Sequence, residues 1–352
     1  MKKNILIVYD KLKTAELDAL IISSPQNISF LTGYQSRDSF LLLSGKEKTY
    51  LTDSRYTAEA KKHLRGYTVR ETKGGLAATL LELSRIFKLK RIGFEEKYTN
   101  YAAYKYLKKI FKHTVTLTGV PSWVEELRQV KTPEELKEIK KAVQITIAAF
   151  TYIKKFIKAG KKELEIAGEL ERFIRYNGAS GASFDIIVAA GANSSFPHHL
   201  TSARVIKRDE PVLIDMGIER NGFKSDLTRV FFSGKINSLE NKVYGIVREA
   251  QERAIRKIKP GIPVSEIDAA ARQYIAERGY GKNFLHSLGH GIGREVHEAP
   301  AISEKNKAIL KPGMVLTIEP GIYLARAFGI RIEDMVAVTK NGMKVLSKKL
   351  PK

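Results

Sequence analysis

Asn221-Gly222 is the feature that most limits what this chain can fold into. It separates two apolar, β-branched-rich runs, PVLIDMGI (211–218) and FKSDLTRVFF (223–232), and is a strong short-range hairpin signal. With those two residues at the loop tip, Arg220 faces Phe223 and Gly217 faces Asp226. Asp215 lies two residues before Gly217, so strand alternation puts it on the sheet face that carries Asp226. The two carboxylates are then diagonal cross-strand neighbours, about 7–8 Å apart at the backbone and closer at their tips. That spacing suits two ligands of a cation pair, whose ions lie roughly 3.5–4 Å apart.

A second cluster repeats the logic. In IRIEDMVAV (330–338) alternation sends Arg331 and Glu333 to one face and the apolar Ile330 and Ile332 to the other. Charges facing a core need partners, and bound cations are the simplest supply. Between the clusters lies HSLGHGIGREVHE (286–298), where His286 and His290 stand at helical spacing. Gly289, Gly291 and Gly293 argue against a helix there, and no HExxH pattern supplies a general base. The glycines run G-x-G-x-G, which is not the dinucleotide loop. His290 is best read as a single nitrogen donor among carboxylates. Such an oxygen-rich set favours Mn²⁺ or Co²⁺, with Zn²⁺ as an alternative.

At these residues, and at TIEPGIY (317–323) and FGIRIED (328–334), the sequence resembles the creatinase/aminopeptidase metallopeptidases, specifically the Xaa-Pro branch of aminopeptidase P and prolidase. DALIISSPQNISFLTGY and LTDSRY (18–34, 51–56) are similar to that branch's N-terminal domain, so the likeness spans nearly the whole chain. The resemblance implies Asp215, Asp226, His290, Glu319 and Glu333 as ligands of two divalent metal ions, with Glu319 also handling a proton. It implies His198, the histidine directly after Pro197 in FPHHL, and His297 as catalytic histidines; His286, His297 and Arg331 would contact substrate. Two local departures stand out: Gly222-Phe223 replaces the family's Gly-Tyr, and Leu324-Ala325-Arg326-Ala327 replaces a Pro-Gly loop.

The implied activity is hydrolysis of an Xaa-Pro peptide bond by a metal-bridging hydroxide, on a peptide with proline at P1′. A homodimer is implied as well. Three other readings share the scaffold: a methionine aminopeptidase-like or other N-terminal aminopeptidase, a creatinase, which usually lacks the full metal set, and a non-enzymatic nucleic-acid- or protein-binding module that has lost its ligands. The full ligand set favours an enzyme.

The 352 residues are enough for two domains with proper cores, and the absence of cysteine excludes disulfides and thiolate metal sites. The first apolar run, Ile5–Tyr9, is too short for a signal peptide, and no stretch approaches a membrane span, so a cytoplasmic protein is expected. The formal charge is +23. Residues 1–130 hold 23 Lys/Arg against 13 Asp/Glu and the remainder 38 against 25, so the excess is dispersed. The most nucleic-acid-like segment, YAAYKYLKKIFKH (101–113), places Ala103, Leu107, Ile110 and Phe111 at helical spacing with its lysines largely opposite. Nucleic acid is therefore not expected as a partner.

Two domains are expected, 1–125 and 126–352. In the first, strands at Ala19–Ser23, Phe40–Ser44, Lys48–Thr52 and Arg91–Phe94 alternate with helices at Leu76–Phe87 and Tyr101–Lys112, an α/β domain. Thr132-Pro133-Glu134-Glu135 predicts a capping box opening a helix to Lys158. Further helices are expected at Glu163–Tyr176, Ser238–Ile258 and Ser265–Glu277. Strands are expected at Phe184–Ala189, Pro211–Ile218, Phe223–Phe232, Met314–Ile318 and Gly329–Val338. Antiparallel hairpins covered by helices make the second domain α+β, and the resemblance implies the pita-bread fold for it.

Overall fold

Two units divide the chain, Met1–Arg128 and Gln129–Lys352. The computed structural model describes residues 2–45 and 47–352. The first unit ends with helix Trp123–Arg128, which the expected division after residue 125 would have cut.

In the first unit six strands lie in the spatial order Thr68–Glu71, Glu47–Thr52, Ser39–Ser44, Ala19–Ile22, Arg91–Glu95, Thr116–Val120. The pairings around Ser39–Ser44 are antiparallel and the others parallel. Both faces are covered, as the central strand shows. Leu20 and Ile22 pack with Ile5, Val8, Leu12 and Ile28, while Ala19 and Ile21 pack with Leu80, Leu83, Leu107 and Phe111. Each such fully buried Leu or Ile contributes roughly 1.5–3 kcal/mol over leaving it in water. Helices Lys2–Thr14, Pro25–Thr32 and Ser54–His63 and strands Thr68–Glu71 and Thr116–Val120 add to the elements read from sequence. The apolar run Ile5–Tyr9 belongs to the first of these helices, whose inner face carries Ile5, Val8 and Leu12.

The second unit repeats one theme. Helices Pro133–Ile153 and Glu163–Tyr176 pack on the antiparallel strands Ile187–Ala190, Pro211–Met216 and Leu227–Phe232. Helices Ser238–Lys257 and Val264–Glu277 pack on a five-stranded antiparallel sheet that includes Gly289–Gly291, Val315–Ile318 and Asp334–Thr339. The capping box forms as expected: Thr132 Oγ1 accepts the Glu135 N–H at 3.3 Å and Glu135 accepts the Thr132 N–H at 3.0 Å. The helix it opens stops at Ile153, not Lys158. Phe156 N–H turns back to the Ile153 carbonyl, and Gly160 and Lys161 leave to pair with Ile206.

Three expected strands are interrupted, each near a site residue. The strands 211–218 and 223–232 break around Gly217 and Ser225, where a Cβ on Gly217 would stand 1.8 Å from the Ser225 carbonyl oxygen. Gly329–Val338 proves to be two strands, Phe328–Arg331 and Asp334–Thr339, with Ile332 and Glu333 at the break. The stretch expected as Phe184–Ala189 forms only Ile187–Ala190, which frees Phe184 to line a cavity.

Candidate metal centre

The Asn221-Gly222 turn has φ of 51° and 74° at its two residues, the left-handed pair that a two-residue hairpin requires. From it the register runs without slip: Arg220 opposes Phe223, Met216 opposes Leu227, Asp215 opposes Thr228 and Pro211 opposes Phe232. Asp215, Gly217, Asp226 and Thr228 therefore share one face. The strand break at 332–333 brings Arg331 and Glu333 against that face. Thr228 Oγ1 donates to Glu333 Oε2 at 2.8 Å and accepts from Arg331 Nε at 3.1 Å. Arg331 Nη2 reaches Asp215 Oδ2 at 2.5 Å.

His290 arrives from the glycine-rich strand opposite. Cβ atoms on Gly289 and Gly291 would stand 2.1 Å from the Thr317 carbonyl oxygen and 2.4 Å from that of Ala299, so only glycine lets the backbone pass this close. His290 Nδ1 donates to the Gly291 carbonyl at 3.0 Å, which points Nε2 at the carboxylates. That nitrogen is 3.3 Å from Glu319 Oε1 and 3.7 Å from Asp226 Oδ2. One ligand atom each from Asp226, His290 and Glu333 lies within 4.8 Å of the others. Glu319 follows strand Val315–Ile318, its N–H bonded to the Leu288 carbonyl and its Oε1 accepting from Thr317 Oγ1 at 3.0 Å.

A cavity of about 630 Å³ opens over this cluster, and Asp215, Asp226, His290, Glu319, Arg331, His198, His286 and His297 all line it. Glu333, 1 % exposed, sits behind. The structure thus gathers every site residue expected from the sequence. It separates the two histidines of FPHHL: His198 lines the cavity, while His199 turns away to bond Glu163. His286 has both ring nitrogens engaged, Nδ1 with the Ser287 carbonyl and Nε2 with the Tyr323 hydroxyl, so it offers the cavity a ring edge.

Electrostatics here are dominated by crowding. Burial, then the charge of Asp215, push the Asp226 carboxyl well above the usual range. Burial, then the charge of Asp226, do the same to Glu333. Burial also pushes Glu319 up, but the hydrogen bond and charge of His290, with His286 and Arg331 behind, outweigh it and hold Glu319 at about 2. Asp215 Oδ1, Asp226 Oδ1 and Glu333 Oε1 are buried without a hydrogen-bond partner. A buried acceptor left this way is costly unless a cation or a proton meets it. Hard oxygen donors with one imidazole are the donor set divalent cations take, so the residues fit such ions.

Sequence reading missed the supports. Tyr323 accepts from Arg331 Nη1 at 2.8 Å, and burial pushes its hydroxyl to about 12, so it stays protonated. Gln251, fully buried on helix Ser238–Lys257, donates to the carbonyls of Ile318 at 3.1 Å and Ile332 at 3.2 Å. Those carbonyls directly precede Glu319 and Glu333. The signal for Gln251 was a lone amide on the helix face that carries Val247, Ala254 and Ile255.

A carboxylate-rich, histidine-walled cavity on paired helix–sheet layers is the arrangement that the resemblance to pita-bread metallopeptidases implied. Residues 137–340 match metallopeptidase family M24 and residues 7–130 the creatinase/prolidase N-terminal domain, and the chain belongs to that family. An Xaa-Pro dipeptidase of Pyrococcus horikoshii is 35% identical over 356 residues, covering 99% of this chain and 97% of its own. The solved structure of an Xaa-Pro dipeptidase from Bacillus anthracis superposes with a TM-score of 0.95 at 36% identity, covering 99% and 97%. That of an X-Pro aminopeptidase from Thermotoga maritima gives 0.87 at 38% identity, covering 94% and 96%.

Proposed function

We propose that this chain hydrolyses the peptide bond preceding proline, with two divalent cations held by Asp215, Asp226, His290, Glu319 and Glu333. The observation that carries the reading is the set of buried carboxylate oxygens on Asp215, Asp226 and Glu333 that no protein group satisfies, the first two residues lining a cavity walled by histidines and Glu333 lying behind them. When bound, such cations supply Lewis-acid polarisation of a carbonyl and a water acidic enough to ionise near neutral pH. The donor set favours Mn²⁺ or Co²⁺.

The chain's own groups divide the remaining work. Glu319 takes the proton from the attacking water and delivers it to the departing nitrogen, a transfer its position at the cavity edge allows. His198 or His297 donates a hydrogen bond to the oxygen on which charge develops. Burial, then the charge of His290, hold His297 below its ordinary range, so it is a neutral donor near pH 7. A bond preceding proline offers no N–H on its leaving nitrogen, so that residue has to be selected by shape. The His286 edge and His297, together with Phe184, Ile187 and Val296, provide a mostly apolar wall for the ring. Relatives named as Xaa-Pro dipeptidase and X-Pro aminopeptidase support this preference.

The test is hydrolysis of Ala-Pro, Leu-Pro and a longer Xaa-Pro-Yaa peptide by chelated protein given back Mn²⁺, Co²⁺ or Zn²⁺. Cation-dependent release of the residue before proline is the expected result. Cleavage of Met-Ala with the proline substrates untouched would replace the proposal with a methionine aminopeptidase-like activity.

A further inference from the structure

Glu163 opens helix Glu163–Tyr176, where an acidic residue ordinarily faces water and favours the helix dipole. Here the neighbouring Glu165 takes the end of the helix, accepting the Lys162 N–H at 2.7 Å. Glu163 turns inward instead, its side chain 0% exposed. One carboxylate then accepts five hydrogen bonds: Ala190 N–H at 2.8 Å, Asn193 Nδ2 at 3.0 Å, His199 Nε2 at 2.9 Å, Ser202 N–H at 3.1 Å and Ser202 Oγ at 2.7 Å. None of these donors belongs to the helix. They come from the end of a strand, the 3₁₀ turn Gly191–Ser195 and the segment that follows it. Burial pushes the Glu163 carboxyl up, but these donors together outweigh it and hold it below the ordinary range, so it is a carboxylate.

The segment 196–200 needs such an anchor. Its apolar side chains do not bury: Phe196 is 62% and Leu200 81% exposed. What holds it is polar, on both sides of His198. The Pro197 carbonyl accepts from Arg331 Nη1 at 3.2 Å, and the same guanidinium holds Asp215 at 2.5 Å. Upstream, Ser194 Oγ accepts the Gly329 N–H at 2.8 Å, docking the 3₁₀ turn on the strand that leads to Arg331. Downstream, His199 is tied to Glu163. His198 is therefore a single residue from an anchor in either direction, and it lines the cavity while remaining exposed.

We propose that Glu163, acting through His199, is a positioning residue that fixes His198 for the reaction; the inference rests on His198 being, of the two candidate histidines, the oxyanion donor. A displacement of about 1 Å at a reacting centre can cost on the order of 10²-fold in rate. Slack at either anchor would free His198 to shift, and a shift of that size is enough to show in the rate.

The test is a double-mutant cycle in the full-length, Mn²⁺-reconstituted protein with Leu-Pro as substrate. His198→Ala alone should lower kcat by roughly 10²-fold, as removal of one oxyanion donor does, with KM little changed. His199→Leu should lower kcat about 10–100-fold with KM within about twofold and bound Mn²⁺ unchanged. His199→Gln, which returns an N–H near the Nε2 position, should recover most of that loss, and it serves as well if the leucine variant folds poorly. In the His198→Ala background, His199→Leu should cost almost nothing more. The same loss in both backgrounds would overturn the positioning role while leaving the role of His198 intact. An unchanged kcat in His198→Ala would overturn the reading of His198 and the inference with it.

Discussion

Single side chains here carry two kinds of duty, and substitutions can part them. Glu319 lines the cavity with the other site carboxylates, and in the proposed reaction it would both hold a cation and handle a proton. Glu319→Gln keeps its shape and removes its basicity, so kcat on Leu-Pro should fall by at least about 10³-fold while the far-ultraviolet circular dichroism stays native. Turnover near the native rate would end its role as proton carrier. Glu163 gives a prediction of a different sort. Its folded carboxyl binds a proton more weakly than an unfolded-chain glutamate, for which about 4.3 is typical. Its contribution to stability is therefore complete above that value and is lost as pH falls through the depressed folded value. Urea midpoints of the native chain and Glu163→Gln should differ by a constant amount from pH 8 to about 5, then converge in acid. A difference that widened in acid would reverse the sign assigned to this group.

Among elements, helix Ser238–Lys257 does more than cover a sheet. Ile332 sits where the strand ladder lapses, and Gln251 supplies the hydrogen bond its carbonyl would lack, while also bonding the carbonyl before Glu319. Gln251→Met preserves volume and removes both bonds. Titration with Mn²⁺ should show about 10-fold or more weaker binding, at the low end of what removing a ligand's support costs. Unaltered affinity would reduce the amide to a packing group. Such supports were the least legible part of the sequence. The Asn221-Gly222 hairpin could be counted residue by residue, because turn chemistry and alternation are local rules, and the observed register follows that count. Tyr101–Phe111 was readable because Leu107 and Phe111 are inward at helical spacing, whereas Ser54–His63 buries only Ala60 and shows no stripe. The break at Gly217 comes from a close contact with the Ser225 carbonyl across the same hairpin, and at Ile332 the carbonyl is bonded by the Gln251 side chain, 81 positions away. His199 and Glu163 stand 36 positions apart, with no local pattern to join them.

For the whole molecule, the +23 charge and the acidic cavity are opposite features of one chain. The positive excess is spread through the sequence, and the carboxylates of the site are crowded in the Gln129–Lys352 unit. Their mutual repulsion should be relieved by any cation that binds there. Chelated protein given Mn²⁺ at about 100 times its dissociation constant gains about 2.7 kcal/mol per site by mass action. The thermal midpoint should rise by several degrees, and Asp226→Asn should cancel most of the rise. A midpoint indifferent to Mn²⁺ would mean that the cavity takes no such ion.

The unslipped pairing between Pro211 and Phe232 has an evolutionary corollary. A residue inserted between Gly217 and Asp226, unless the tip bulges to absorb it, would swing Asp226 into the oily layer and present Leu227 to the solvent-filled hollow. Relatives of this chain should therefore keep the number of residues between Gly217 and Asp226 as strictly as they keep those two identities.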